Sequence, residues 1–320
     1  MSRILSKLFP ALASCLLTSL CWGQAAKPQS NSASTAQKGL DLAKAGRCAE
    51  ALPFLWRSTA HLANKELLRE AGFTGVRCAM LLSDSVAAVE FTRMLSHEFP
   101  NDPEALYTAV HTYSDLSTLS AQKLAAKAPD SVQMHQLTAE SLETQGKWDD
   151  AESEYRAALK QDPHAPGIHF RLGRLLLSKP NPAPTMAQDA KKEFEQELKI
   201  DPTNAGAEYV LGELARQGEQ WDDAVAHFSR ATKLDPLFGD ASLALGSSLL
   251  SLKRVPESIA PLEMAVKLEA PNPAAHYSLA TAYIRVGRKT DADREFAVHK
   301  RMMEKQVANP GPAAAPDNSR

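Results

Sequence analysis

The stretch GKWDDAESEYRAALKQDP, Gly146–Pro163, is nearly rewritten further on as GEQWDDAVAHFSRATKLDP, Gly218–Pro236. Both carry Trp-Asp-Asp-Ala, and both reach Asp-Pro with the proline twelve residues after that alanine; Ala151 and Ala224 stand seventy-three residues apart. Within each copy a small residue, an aromatic and a second small residue (Ala151, Tyr155, Ala158; Ala224, Phe228, Ala231) recur at i, i+4 and i+7. That spacing places them on one face of an α-helix. The aspartate pairs fall in the first turn, where carboxylates complement the helix dipole. Asp-Pro ends the helix, because the residue before proline avoids the α region.

Working outward, the alanine serves as a ruler. Equivalent marks fall at Ala151, Ala190, Ala224, Ser258 and Ala292, with spacings of 39, 34, 34 and 34 residues. Twelve residues before four of these marks stand Ala139, Gly212, Gly246 and Ala280, all small; before Ala190 the small residue is Gly173, seventeen residues away. The five extra residues lie in the Pro-rich stretch SKPNPAPTMAQD, which predicts a loop insertion. Each unit then reads as a first helix (A) with a small residue at a close crossing, a turn around Gly146 or Gly287, and a second helix (B).

A 34-residue period with large-then-small at mid-helix A, alanine and aromatic on helix B and a closing proline resembles the tetratricopeptide repeat family. Here Arg171–Gly173, Val210–Gly212, Ala244–Gly246 and Ser278–Ala280 fill the helix A position, and the clear copies are 132–165, 166–204, 205–238, 239–272 and 273–306. Weaker pairs precede them over 35–131. Gly39, Gly46 and Ala51 fit one pair, and Ala88 and Pro100 a second. DPEALYTAVHTYSDLSTLSAQKLAAKAPD reads as a third pair with a shortened turn, ending at Pro129. The resemblance implies an all-α fold: a right-handed superhelical α-solenoid of seven or eight antiparallel helix pairs over 35–306. Such arrays bury their core between neighbouring hairpins. The family generally uses a concave face lined by helix A to hold a peptide or protein.

The ends read differently. MSRILSK is short and basic, and Leu8–Leu20 is an apolar run broken by Pro10 and too short to span a bilayer. Small residues at Gly23 and Ala25 follow, so 1–23 is expected to be a secretory signal peptide of an exported bacterial-type protein, periplasmic or secreted. A competing reading is the box Leu12–Cys15, which would place a lipid anchor at Cys15. Residues 24–34 are expected to be a flexible linker, and 307–320, rich in Pro and Ala, a disordered tail. No further long apolar run predicts a transmembrane span. Of four cysteines, Cys48 and Cys78 would survive export. They can form one bridge or remain two buried thiols.

A net charge of −2 with no basic block makes no electrostatic case for nucleic acid. The sequence has no His-Glu-x-x-His, nucleophile-elbow, phosphate-loop or dinucleotide-binding motif, and the repeats leave no room for a catalytic domain. No catalytic residue, cofactor or metal ligand is therefore expected. Asp149-Asp150, and the pair His164 and His169, read as structural.

Some family members hold a C-terminal carboxylate with a lysine–asparagine clamp, three residues before and one after the helix A small residue. Here those columns read Gln136, Phe170, Tyr209, Leu243, Tyr277 and Glu140, Arg174, Glu213, Ser247, Thr281. The clamp is absent, and the first column is largely aromatic and apolar. The candidate partner-binding residues are therefore Phe170, Arg174, Tyr209, Arg216, Leu243 and Tyr277, against the competing reading that the aromatics only pack between helices. The expected function is a non-catalytic scaffold for a protein or peptide partner in the cell envelope or outside the cell. The alternatives are a structural or lipid-anchored part of an envelope assembly, and a regulatory subunit of an envelope enzyme.

Overall fold

A computed structural model describes residues 29–180, 185–268 and 272–308. The expected signal peptide, Cys15 and most of the expected tail lie outside the described residues. Among the described residues the structure is all-α and divides into two compact units, one up to residue 122 and one from 123 onward.

The first unit holds two hairpins, α1 (Gln29–Lys44) with α2 (Cys48–Thr59) and α3 (Lys65–Leu81) with α4 (Ser85–Glu98), and most of α5 (Pro103–Lys127). Its core is built from Leu40, Leu55, Leu68, Phe91 and Leu95. Two expectations are corrected here. Helix α1 begins at Gln29, inside the expected linker, because Ala33, Ala36 and Leu40 continue one apolar face backwards; Ala36 and Leu40 are buried. The third upstream pair is one continuous helix, α5. No glycine or proline interrupts residues 104–128. The mid-helix hydroxyls that could have opened a turn bond back to their own helix, Thr118 Oγ1 to the Ser114 carbonyl (3.0 Å) and Ser120 Oγ to that of Leu116 (2.8 Å).

The second unit continues as five hairpins in the sequence-derived register. These are α6 (Val132–Thr144) with α7 (Trp148–Gln161), α8 (Ile168–Ser178) with α9 (Met186–Ile200), and α10 (Ala205–Gln217) with α11 (Trp221–Leu234). Then come α12 (Gly239–Ser251) with α13 (Val255–Leu268), and α14 (Pro273–Arg285) with α15 (Lys289–Ala308). Neighbouring hairpins pack in chain order, α7 on α8, α9 on α10, α11 on α12 and α13 on α14.

The repeated phrase explains itself in this frame. Ala151, Tyr155, Ala158, Ala224, Phe228 and Ala231 are all fully buried. The small residue of helix A lets the helix B aromatic lie against its backbone: a Cβ added to Gly212 would sit 2.6 Å from the Phe228 ring. The Asp-Pro stop is also a turn. Asp162, Asp201 and Asp235 each accept the backbone N–H two residues on, at 2.9 Å.

The hairpin turn needs a left-handed residue five positions before each mark. Gly46, Gly146 and Gly287 supply it with φ of 77°, 71° and 81°. Ser83, Glu219 and Lys253 hold the same place with φ of 56°, 56° and 61°, a conformation that costs a non-glycine residue about 1 kcal/mol.

Candidate partner-binding face

The six predicted residues all lie on A helices of the second unit, and their surroundings differ. Phe170 (α8) is half-buried, edge-on to Phe194 of α9 at 5.6 Å. Tyr209 (α10) is half-buried between Phe228 (5.8 Å) and Phe238 (4.8 Å). Leu243 (α12) packs against the cluster containing Leu262 and Leu279. These three therefore serve packing as much as surface. Tyr277 (α14) rests on Phe296 and His299 of α15, yet leaves 54% of its surface exposed.

The two arginines separate in the same way. Arg216 is exposed but bound through two nitrogens to Glu213 of its own helix, at 3.1 and 2.6 Å. That carboxylate raises its pKa further and neutralises its charge. Arg174 is exposed, and its guanidinium forms no ion pair among the described residues. Glu140 is occupied by Arg171 (3.0 Å) and Gln136 (2.8 Å).

Sequence reasoning overlooked a second apolar column, four residues after the helix A small residue: Leu177, Leu250 and Ile284. Leu177 is 38% and Ile284 46% exposed. The signal was present, since positions three before and four after the small residue are seven apart and share a helix face.

The first unit has features of its own. Cys48, at the start of α2, is joined to Cys78 in α3 by a disulfide, with Cα atoms 5.0 Å apart. Beside it opens a cavity of about 640 Å³ lined by Lys44, Glu66, Arg69, Phe73, Arg77 and Glu104, among others. Most of its charge is paired. Arg69 binds Asp102 and Glu104, both at 2.6 Å, and the guanidinium holds the Asp102 carboxyl down at about 2. A shallower apolar groove joins Pro53, Trp56, Val86 and Phe91, with Trp56 edge-on to Phe91 at 5.4 Å. Among the described residues no group of three or more His, Cys, Asp or Glu is placed to hold a metal ion, and no helix is long and apolar enough to cross a membrane. His169 instead faces Glu193 at 2.6 Å.

Residues 137–205 and 209–273 match the family model for the tetratricopeptide repeat, so the chain carries such repeats there. No protein with a curated description matches the sequence. Several solved structures are similar. A crystal structure of MamA is 24% identical, covering 53% of this chain and 96% of its own, with a TM-score of 0.47. MamA from Desulfovibrio magneticus RS-1 is 18% identical, covering 55% and 97%, with a TM-score of 0.48. YrrB, described as a TPR protein with an unusual peptide-binding site, is 19% identical, covering 58% and 94%, with a TM-score of 0.49.

Proposed function

We propose that the protein is a non-catalytic scaffold, exported to the periplasm or beyond, that holds an extended protein or peptide segment on the helix A face of residues 132–306. One observation carries the binding face. The helix B aromatics are consumed by the core, whereas the A helices keep Leu177, Tyr277 and Ile284 part-exposed beside the unpaired Arg174. Aromatic and apolar anchors beside an arginine are the composition of binding surfaces. Tetratricopeptide repeats commonly serve such interactions, which agrees with this reading.

Export is supported by the basic-then-apolar residues 1–23 and by the Cys48–Cys78 bridge, since disulfides persist in oxidising compartments. The mass of the mature N-terminus in the native host tests it: a free terminus near residues 24–26 is expected. An acylated Cys15 would favour the lipid-anchored reading, and an uncleaved Met1 would remove export.

The binding face is tested by photo-cross-linkers placed at Leu177, Tyr277 and Ile284 and, as controls, at the exposed helix B positions Glu195 and Lys233. Capture at the first three and not at the controls is expected. Equal capture from both sides would refute the assignment.

A further inference from the structure

Four of the five hairpins in the second unit carry a histidine–carboxylate contact between helix A and helix B, each with Nδ1 2.6 Å from a carboxylate oxygen. The pairs are His135–Glu154, His169–Glu193, Glu208–His227 and His276–Glu295. They are nineteen residues apart in three copies and twenty-four in the copy with the five-residue insertion. The helix A member always stands four residues before the small residue, and the helix B member three after the mark. The contact is thus a repeated part of the hairpin. Only the α12–α13 copy lacks it, with Ser242 and Pro261 at those places.

In three copies the histidine is on helix A and faces acid. His135 meets Glu154 from α7, and His276, itself buried, meets Glu295 from α15. His169 has an acceptor at each ring nitrogen, Glu193 at Nδ1 and the Pro163 carbonyl at Nε2 (3.3 Å), with Glu197 of α9 also nearby. An ionised carboxylate only accepts, so Nδ1 must donate. A ring that must donate from both nitrogens is an imidazolium.

The reversed copy is different. Glu208 is bound by Arg230 Nε at 2.7 Å, and Arg230 Nη2 lies 2.7 Å from His227 Nδ1. Arginine already supplies the cation there, and a charged His227 would face a guanidinium.

We propose that His135, His169 and His276 make the second unit proton-responsive, with its hairpins held more tightly at mildly acidic pH than at neutral to alkaline pH. An imidazolium–carboxylate bond is roughly twice as strong as its neutral counterpart. The direction follows for His169, whose pKa is raised, chiefly by the hydrogen bond to Glu193, against the opposing effect of burial. A folded value above the unfolded one of about 6.5 gives stability that is complete below about pH 6.5 and lost as pH rises through the folded value. Above about pH 4.5 the partner carboxylates stay ionised.

The test is thermal unfolding of the full, oxidised chain at pH 5.5 and 8.0, followed by circular dichroism, for the wild type, H135Q/H169Q/H276Q and H227Q. Comparing each variant's loss at the two pH values cancels every other titrating group. The triple variant should lose at least about 3 °C more at pH 5.5 than at pH 8.0, and H227Q should lose equally at both. Equal losses for the triple variant would overturn the proposal. If the triple variant does not fold, imidazole titration by NMR in the wild type decides instead. A His169 midpoint above that of free histidine supports the proposal, and one at or below it overturns it.

Discussion

The two units use the same hairpin and secure it differently. In the first, covalent and surface devices stand out: the Cys48–Cys78 bridge ties α2 to α3, and Arg69 gathers Asp102 and Glu104. In the second, the helix B phrase repeats with little drift, and histidine–carboxylate contacts tie helix A to helix B in four of five hairpins. Regularity goes with the polar ladder. Where the copies degenerate, at Ser83 in the turn and in the unpaired α5, the ladder is missing and a disulfide is present. A hairpin array tolerates either solution because each unit needs only its neighbours.

The largest expected effect ignores this difference. Phe91 in the first unit and Phe228 in the second are the same knob, each fully buried against a helix A glycine, Gly75 and Gly212. Phe91→Ala and Phe228→Ala should each cost about 3–5 kcal/mol in denaturant unfolding. A cost below about 1 kcal/mol in either unit would show that its core is not built on the shared pattern.

Next comes the bridge, which should separate the units. Cys48→Ala/Cys78→Ala should destabilise the first unit by about 3 kcal/mol and leave hydrogen exchange in residues 132–308 unchanged. Loss of protection across 132–308 would mean that the second unit depends on the first.

Smaller still is the turn. Glu219→Gly and Lys253→Gly relieve left-handed residues and should each stabilise by about 0.5–1 kcal/mol, whereas Gly146→Ala should cost about 1 kcal/mol. The opposite signs would show that side-chain contacts, not backbone conformation, govern that position.

Much of the second unit could be read directly. The alanine ruler, the small residues, the Asp-Pro stops and the turn at Gly146 all encode backbone proximity, which leaves a mark in residue size. α5 was misread because a repeat period predicts where a turn belongs, and only local chemistry makes one; no residue there breaks a helix. Ser83, Glu219 and Lys253 hid their left-handed turns because they are not glycine. The histidine ladder hid for a geometric reason: its members sit on different helices, one pair is reversed and one is shifted by the insertion. Glu197 escaped in the same way. It replaces the small residue seven after the mark, and its buried carboxylate accepts from the Gly167 and Phe170 N–H groups (2.9 and 3.2 Å). It thereby caps a helix whose own N-cap is glycine. For the binding face, the sequence found the right helix and one column of it. Which side chains stay exposed depended on the next hairpin, which covers Phe170, Tyr209 and Leu243 more than Tyr277.

The central claim is that recognition belongs to the A helices, where the copies differ. It is tested most directly by the affinity of the cross-linked partner, once purified, for Tyr277→Ala/Ile284→Ala and for Glu195→Ala/Lys233→Ala, each checked for an unchanged circular dichroism spectrum. Losing two exposed apolar anchors should weaken binding by at least about tenfold, roughly 1.4 kcal/mol, while the helix B variant binds as the wild type does. Wild-type affinity in the helix A variant, or an equal loss in both, would contradict the account.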